Sequence, residues 1–327
     1  MFYNDKDSKH IQYLHNSNNI CKNKIRQHEV IIINEISAVI EMNILVCGLN
    51  SYLGKSSLIY LQDDHNLVHG IVGDANLLTK KIKGKVNAQL HNLDVIRYNP
   101  DKVTFTLPQC EVAFYFTQSP ELYDPMGANY ELLSLRNFIQ FSQRNACNRI
   151  VYIGTIYDRK YLRAVEKLFK ETEVNYTIVL KDIAIGQGTS FEEFMRKMLR
   201  RRFIYLYKPH KKIQVNPVKL PDLMDWLRKT DWSVQYINTN IEFSGNQTYE
   251  LEELMLLYEE KYGNNKRHTI VPIHNKPLVK WCNKYLSGIP YDQYAQYIVE
   301  LCEREDLDNF KWKKVTSPIR WSALESI

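Results

Sequence analysis

Residues 43–61 read NILVCGLNSYLGKSSLIYL. A short apolar run, Ile44, Leu45, Val46 and Cys47, feeds directly into Gly48, and the span 53–61 carries apolar residues at Leu53, Leu58, Ile59 and Leu61 without β-branched runs or proline. The first part predicts a buried strand and the last an amphipathic helix, joined by a turn bracketed by two glycines. Gly48 permits a tight bend at positive φ, and Gly54 lets the helix approach the strand closely. A helix that opens in such a turn offers its free amides and the positive end of its dipole to an anion. Gly48, Asn50, Ser51, Tyr52, Leu53 and Gly54 are therefore candidates to cup the diphosphate of a dinucleotide. A structural turn in a fold that has lost such a ligand is the competing reading. Ser51 stands where the middle glycine of such a turn would be; its amide and hydroxyl can face a phosphate, but its side chain narrows the approach.

Outward from this stretch the same rhythm repeats. Apolar runs rich in β-branched residues fall at 44–47, 67–72, 86–90, 112–117, 149–153 and 176–180, and helical stretches at 53–61, 130–145 and 160–172. This is the pattern of βαβ units; it predicts an α/β fold with a doubly wound parallel sheet of six strands and right-handed crossovers. After residue 188 the alternation loosens into a basic helix, a short strand near Ile213, a helix at 222–228, a strand near Tyr236 and a helix at 250–262. Residues 42–188 are thus expected to form the dinucleotide-binding part, and 189–327 a small α+β carboxyl-terminal region set over the sheet's carboxyl edge on the substrate side. Residues 1–41 balance five acidic against five basic residues, with no amphipathic period and no leader pattern. They read as an extension outside the fold, with Met42 as the functional start, or as an ordinary flexible tail.

Composition narrows the function. With 327 residues, 44% apolar and 24% charged, the chain can bury a sizeable core, which excludes a disordered or fibrous protein. Its apolar runs fall far short of the roughly 18 residues of a membrane span. Six cysteines with no two-residue spacing argue against a zinc knuckle, a redox pair or a disulfide scaffold, and for a reducing, cytoplasmic setting. Nine dispersed histidines form no ligand pair at helical spacing, so no metal is expected. Neither a Gly-x-Ser-x-Gly elbow nor a Walker lysine is present. The net charge of +6 conceals a concentration: eight Lys and Arg and no acid lie between 196 and 212, interleaved with Phe203, Ile204, Tyr205, Leu206 and Tyr207. That stretch suits a solvated helix face followed by an inward-packed strand, an anionic membrane surface, or a protein partner. Nucleic acid is not expected, because the remainder of the chain is slightly acidic.

From Met42 onward these residues resemble the short-chain dehydrogenase/reductase superfamily, specifically its atypical extended members near the NmrA-like NAD(P)-binding proteins. Residues 48–54 are similar to the family's Gly-x-x-Gly-x-x-Gly turn, with serine at position 51. His91, Asn92 and Leu93 stand where the family has Gly-Asp-Leu after the third strand, so the resemblance implies an adenine-contacting role for Asn92. Residues 114–120 resemble the fourth strand and the loop that passes the nicotinamide ribose, which brings in Thr117 and Gln118. Residues 150–155 resemble the fifth strand with its terminal small polar residue, and 181–186 the loop after the sixth, headed by Lys181. Residues 215–227 and 245–254 resemble the elements that close the substrate side. The implied fold is a Rossmann sheet and the implied cofactor NAD or NADP. The usual discriminators fall on Val72 and Gly73, neither acid nor arginine, while nearby Asp74 and Lys55 pull in opposite directions, so the choice stays open.

In active members a tyrosinate works with a lysine four positions later on the same helical face. Here Lys160 follows Tyr157 at three residues, Tyr161 occupies the fourth position, and four beyond Tyr161 stands Val165. The usual pair is absent. Tyr157 as acid, Lys160 on the ribose and Thr155 in the hydrogen-bonding role of the family's serine are the catalytic candidates; the alternative is that Tyr157 and Tyr161 are two packing residues among 22 tyrosines. The resemblance therefore implies either a slow oxidoreductase acting on a small carbonyl or enone, or a non-catalytic dinucleotide-binding redox sensor or accessory subunit.

Overall fold

Side chains of residues 42–47 alternate between two cores: Ile44 and Val46 pack on one side of the sheet, Leu45 on the other together with Cys47. A strand apolar on both faces needs a covering layer on each. The computed structural model supplies both, and describes residues 42–63, 65–82, 86–103, 105–117, 125–155, 162–262, 268–289 and 312–317. The first part of the chain runs β1 (Met42–Cys47), α1 (Tyr52–Tyr60), β2 (Asn66–Val72), α2 (Ala75–Lys81), β3 (Gln89–Asn92), β4 (Val112–Phe116), α3 (Pro125–Arg144), β5 (Arg149–Thr155), α4 (Leu162–Glu171) and β6 (Asn175–Lys181). There follow β7 (Ala184–Ile185), α5 (Ser190–Leu199), β8 (Phe203–Tyr207), β9 (Gln214–Val215), β10 (Val218–Lys219), α6 (Leu220–Lys229) and β11 (Thr239–Gly245). Last come β12 (Tyr249–Glu250), α7 (Leu251–Tyr262), β13 (Thr269–Ile273), α8 (Lys276–Cys282) and β14 (Trp312–Ser317).

The main sheet has the order β14-β11-β6-β5-β4-β1-β2-β3, with every neighbouring pair parallel. The chain winds outward from β1 in both directions, so this is the doubly wound Rossmann arrangement, with its switch point between β1 and β4. All six expected strands are present, the third of them shifted from the expected 86–90 to Gln89–Asn92. Two further strands, β11 and β14, come from beyond residue 188, so the carboxyl-terminal region completes the sheet as well as flanking it. The strand expected near Tyr236 begins at Thr239; Tyr236 itself lies at φ 57° in the bend before it. Helices α1, α2 and α6 cover one face through Leu53, Leu58, Leu78, Leu223 and Leu227. Helices α3 and α4 cover the other through Leu135, Phe138, Leu162, Val165 and Phe169. Helix α2 escapes sequence reading because its seven residues bury only Leu78, too few to establish a period.

Two polar knots tie the later elements to the sheet. At the carboxyl edge, the buried carboxylate of Asp182 accepts from the amides of Ile183 (2.7 Å) and Asn216 (3.1 Å), and Asn216 Nδ2 donates to Thr248 Oγ1 at 2.8 Å. At the amino edge, Arg149 donates to Trp232 O (2.7 Å), Gln235 O (3.1 Å) and Thr177 Oγ1 (2.6 Å); burial lowers its guanidinium to about 10. Helices α5 and α7 and strand β8 enclose a third core built on Phe191, Phe194, Met195, Ile204, Leu254 and Met255. Among the described residues no helix is long and apolar enough to cross a membrane.

Candidate functional site

Ligand crevices in doubly wound sheets open at the carboxyl ends of the strands beside the switch point. Here that place holds the turn between β1 and α1. Gly48 has φ 87°, and a Cβ on it would lie 2.0 Å from the carbonyl oxygen of Phe116 at the end of β4. A Cβ on Gly54 would lie 2.2 Å from Gly48 O. Both glycines are thus required by the backbone's own close approach. Ser51 is the N-cap of α1: its Oγ accepts from Gly54 N at 3.0 Å and donates to Gly48 O at 2.8 Å. The serine hydroxyl takes one of the amides at the helix end. The amides of Tyr52 and Leu53 have no acceptor among the described residues and remain for an anion. Asn50 is exposed in the turn. The turn fits a diphosphate on two amides, with Ser51 closing the third.

On the β2 and β3 side, a Cβ added at Gly73 would meet nothing within 4 Å, so open space adjoins the end of β2. Asp74 caps α2, its Oδ1 accepting from Leu77 N at 2.9 Å. Asn92 also serves α2: its Oδ1 accepts from Ala75 N at 2.8 Å, which commits its carbonyl to the helix start. Leu93 extends the ladder, donating through its amide to Val72 O at 2.8 Å.

On the other side of the switch point, Thr117 follows β4 and donates through its amide to Ile153 O at 3.0 Å. Thr155, half-buried at the end of β5, is in register with Lys181 on β6. Lys181 is buried; its Nζ donates to Asp182 O at 3.2 Å and lies 5.7 Å over the Tyr52 ring, whose phenol is pushed up by burial. The structure therefore gathers the glycine turn, Thr117, Thr155 and Lys181 at one edge, and sets Asn92 and Leu93 at the ends of the outer strands. Gln118, Tyr157 and Lys160 lie outside the described residues. Sequence reasoning missed Asp182 and Asn216 as the link from this edge to the carboxyl-terminal region; their pairing spans 34 residues and leaves no local signal. The thiols of Cys47, Cys110 and Cys147 are not nucleophiles at neutral pH. Burial pushes Cys110 up to about 12, Cys147 up to about 11 and Cys47 higher still.

No family model and no curated protein matches the sequence. Solved structures match the fold. A triphenylmethane reductase of Citrobacter sp., complexed with NADP(H), is 15% identical with a TM-score of 0.58, over 82% of this chain and 90% of that one. The UDP-glucose 4-epimerase of Thermotoga maritima with UDP-glucose is 15% identical with a TM-score of 0.55, over 80% of this chain and 99% of that one. The dTDP-glucose 4,6-dehydratase of Bacillus anthracis in complex with NAD is 11% identical with a TM-score of 0.53, over 81% and 97%. At such identities the likeness establishes the architecture: this chain has the fold of these extended Rossmann enzymes.

Proposed function

We propose that the protein binds a nicotinamide dinucleotide, NAD or NADP, at the 48–54 turn, in the manner of the atypical, NmrA-like short-chain dehydrogenases/reductases. One observation carries the reading: the unclaimed Tyr52 and Leu53 amides at the mouth of α1, beside the switch point of the parallel sheet. The open ground at Gly73 supports it, as do the dinucleotides bound by the Citrobacter and Bacillus proteins. Tyr52 and Leu53 would hold the diphosphate, Asn92 would present its amide nitrogen to the adenine, and Thr117 and Gln118 would flank the nicotinamide ribose. The bound nicotinamide supplies hydride exchange with a small carbonyl or enone. Thr155 and Tyr157 would orient the carbonyl oxygen, Tyr157 giving or taking its proton, and Lys160 would hold the ribose.

A non-catalytic dinucleotide sensor or accessory subunit is the second reading, favoured by the three-residue step from Tyr157 to Lys160. Titration with NADH and NADPH, followed by nicotinamide fluorescence and by melting temperature, tests binding. A carbonyl-dependent loss of that fluorescence, abolished in Tyr157→Phe, marks the enzyme; binding without turnover marks the sensor. No dinucleotide-dependent shift with either cofactor refutes both.

A further inference from the structure

Residues 196–212 and 274–288 together carry eleven Lys and Arg and no Asp or Glu. The structure lays these segments side by side. Helix α8 and the π-helical turn that continues it, Asn283–Ser287, run along β8: Lys276 Nζ lies 5.7 Å over the Tyr207 ring, Asn283 Nδ2 donates to Tyr205 O at 3.0 Å, and Arg201 reaches Gly288 at the far end. The inner side of this helix is buried through Val279, Cys282, Asn283 and Ser287. Its outer side is apolar. Leu278 is 48% exposed, Trp281 52%, Tyr285 63% and Leu286 51%, and Phe203 at the start of β8 is 43% exposed. Leu278, Trp281 and Tyr285 follow helical steps of three and four, so they form one stripe, and Lys276, Lys280 and Lys284 follow steps of four along its flank.

Single exposed apolar residues are ordinary, but a contiguous patch with a cationic rim marks an interaction surface. The cations divide in a telling way. Arg196, Lys197 and Lys211 pair with Glu192, Glu193 and Glu252, so they belong to the fold. The exposed Arg200, Arg201, Arg202, Lys208, Lys276 and Lys284 have no carboxylate within 4 Å among the described residues. The leucines choose between partners: they offer nothing to a base or a phosphate but gain from hydrocarbon. Tryptophan and tyrosine favour the boundary between headgroup and chain, and lysines beside them meet anionic headgroups. We propose that this face docks on an anionic lipid bilayer, with the helix lying in the interface plane, its apolar stripe entering the membrane and the basic rim on the headgroups.

The test uses the full chain with vesicles of phosphatidylcholine alone and of phosphatidylcholine mixed with phosphatidylglycerol. Sedimentation with the mixed vesicles only, weakened by high salt, is expected, together with a fluorescence blue shift that Trp281→Phe removes. Exposed charge reversals, Lys208→Glu with Lys284→Glu, should lower vesicle binding about tenfold or more while leaving the melting curve unchanged. Trp281→Ala with Tyr285→Ala should do the same through the apolar term. Equal binding to neutral vesicles, no sedimentation at all, or a Trp281 shift that arises from self-association without vesicles would each overturn the proposal.

Discussion

Replacing Ser51 by aspartate and by glycine separates the needs of the fold from those of the proposed ligand, because both draw on the same helix end. Its hydroxyl caps α1 through Gly54 N at 3.0 Å and holds Gly48 O at 2.8 Å. Aspartate caps as well as serine, and its charge gains about 0.3–1 kcal/mol from the helix dipole, offsetting the lost bond to Gly48 O, about 1 kcal/mol. Ser51→Asp should therefore melt within about 2 °C of the parent. Its carboxylate, however, faces the end that offers the Tyr52 and Leu53 amides. Two like charges about one helical turn apart, roughly 5 Å, repel by about 3 kcal/mol at an effective dielectric of about 20, which is on the order of a hundredfold in affinity. At a dinucleotide concentration near 100 times the parent Kd, ligand stabilisation should fall from about 2.7 to about 0.4 kcal/mol. Ser51→Gly removes the cap and frees the Gly54 amide: stability should drop by about 1 kcal/mol, while dinucleotide binding holds or tightens severalfold. Melting curves and fluorescence titrations of the three proteins read all of this. Undiminished dinucleotide stabilisation in Ser51→Asp would refute the assignment of this turn as the phosphate site. Weaker binding in Ser51→Gly would show that the hydroxyl serves the ligand and does not compete with it.

Gly48→Ala combines a left-handed φ of 87° with a Cβ placed 2.0 Å from a backbone oxygen, so urea denaturation should show a loss of about 3 kcal/mol or more. Arg149→Met keeps the bulk but strands the carbonyls of Trp232 and Gln235, while the hydroxyl of Thr177 keeps its bond to Tyr236 O; a loss of about 3 kcal/mol is expected, with faster hydrogen exchange before β11. His210 is held neutral by burial first and by Lys276 second, which lowers it to about 4 from 6.5. The unfolded chain then binds the extra proton between those values, so this contribution is complete above about pH 6.5 and is lost as the pH falls toward 4, with a slope of up to about 1.4 kcal/mol per pH unit. His210→Phe should flatten that slope in pH-dependent denaturation; His69 and His91, also lowered by burial, keep a residual slope of the same sign.

Legibility followed the range of the interactions. The β1 run, its glycine turn and α1 are local in cause: residue pattern names the strand and helix, and backbone contact alone demands both glycines, so all three could be read directly. The other five core strands were legible for the same reason. Strand β14 was not, since its residues, Trp312, Lys313, Lys314, Val315, Thr316 and Ser317, do not alternate cleanly and owe their place to pairing with β11 across some seventy residues. Family resemblance assigned Asn92 to the adenine, but its carbonyl is also what starts α2, a role visible only once Ala75 is seen beside it. The apolar stripe of α8 has a signal, lysines at steps of four with leucine, tryptophan and tyrosine between them, but it is short and lies more than sixty residues beyond the basic stretch at 196–212. That stretch proved to hold two populations, cations paired within the fold and cations facing outward, which a charge count cannot separate.

The way the carboxyl-terminal region joins the sheet limits how a substrate can reach the proposed site. Strand β11 pairs with β6 over five residues, the Asp182 amide continues the bonding to Phe243 O, and α6 shares one core with α1 through Leu223, Leu227, Leu53 and Leu58. A hinge at residue 188 that swung everything after it away would break that ladder and open that core together, exposing several large apolar side chains at about 1.5–3 kcal/mol each. Such an opening approaches the cost of unfolding and does not suit repeated ligand exchange. Elements carried outside the ladder, α5, β8, α7 and α8 on their own core, are tied to the sheet edge through the Asp182–Asn216–Thr248 chain. Entry therefore belongs to that outer core, and Asn216→Ala, which cuts the side-chain link to Thr248 while leaving β11 in place, should alter ligand on- and off-rates more than equilibrium stability. Stopped-flow dinucleotide fluorescence measures those rates; a large fall in melting temperature with unchanged kinetics would contradict the argument.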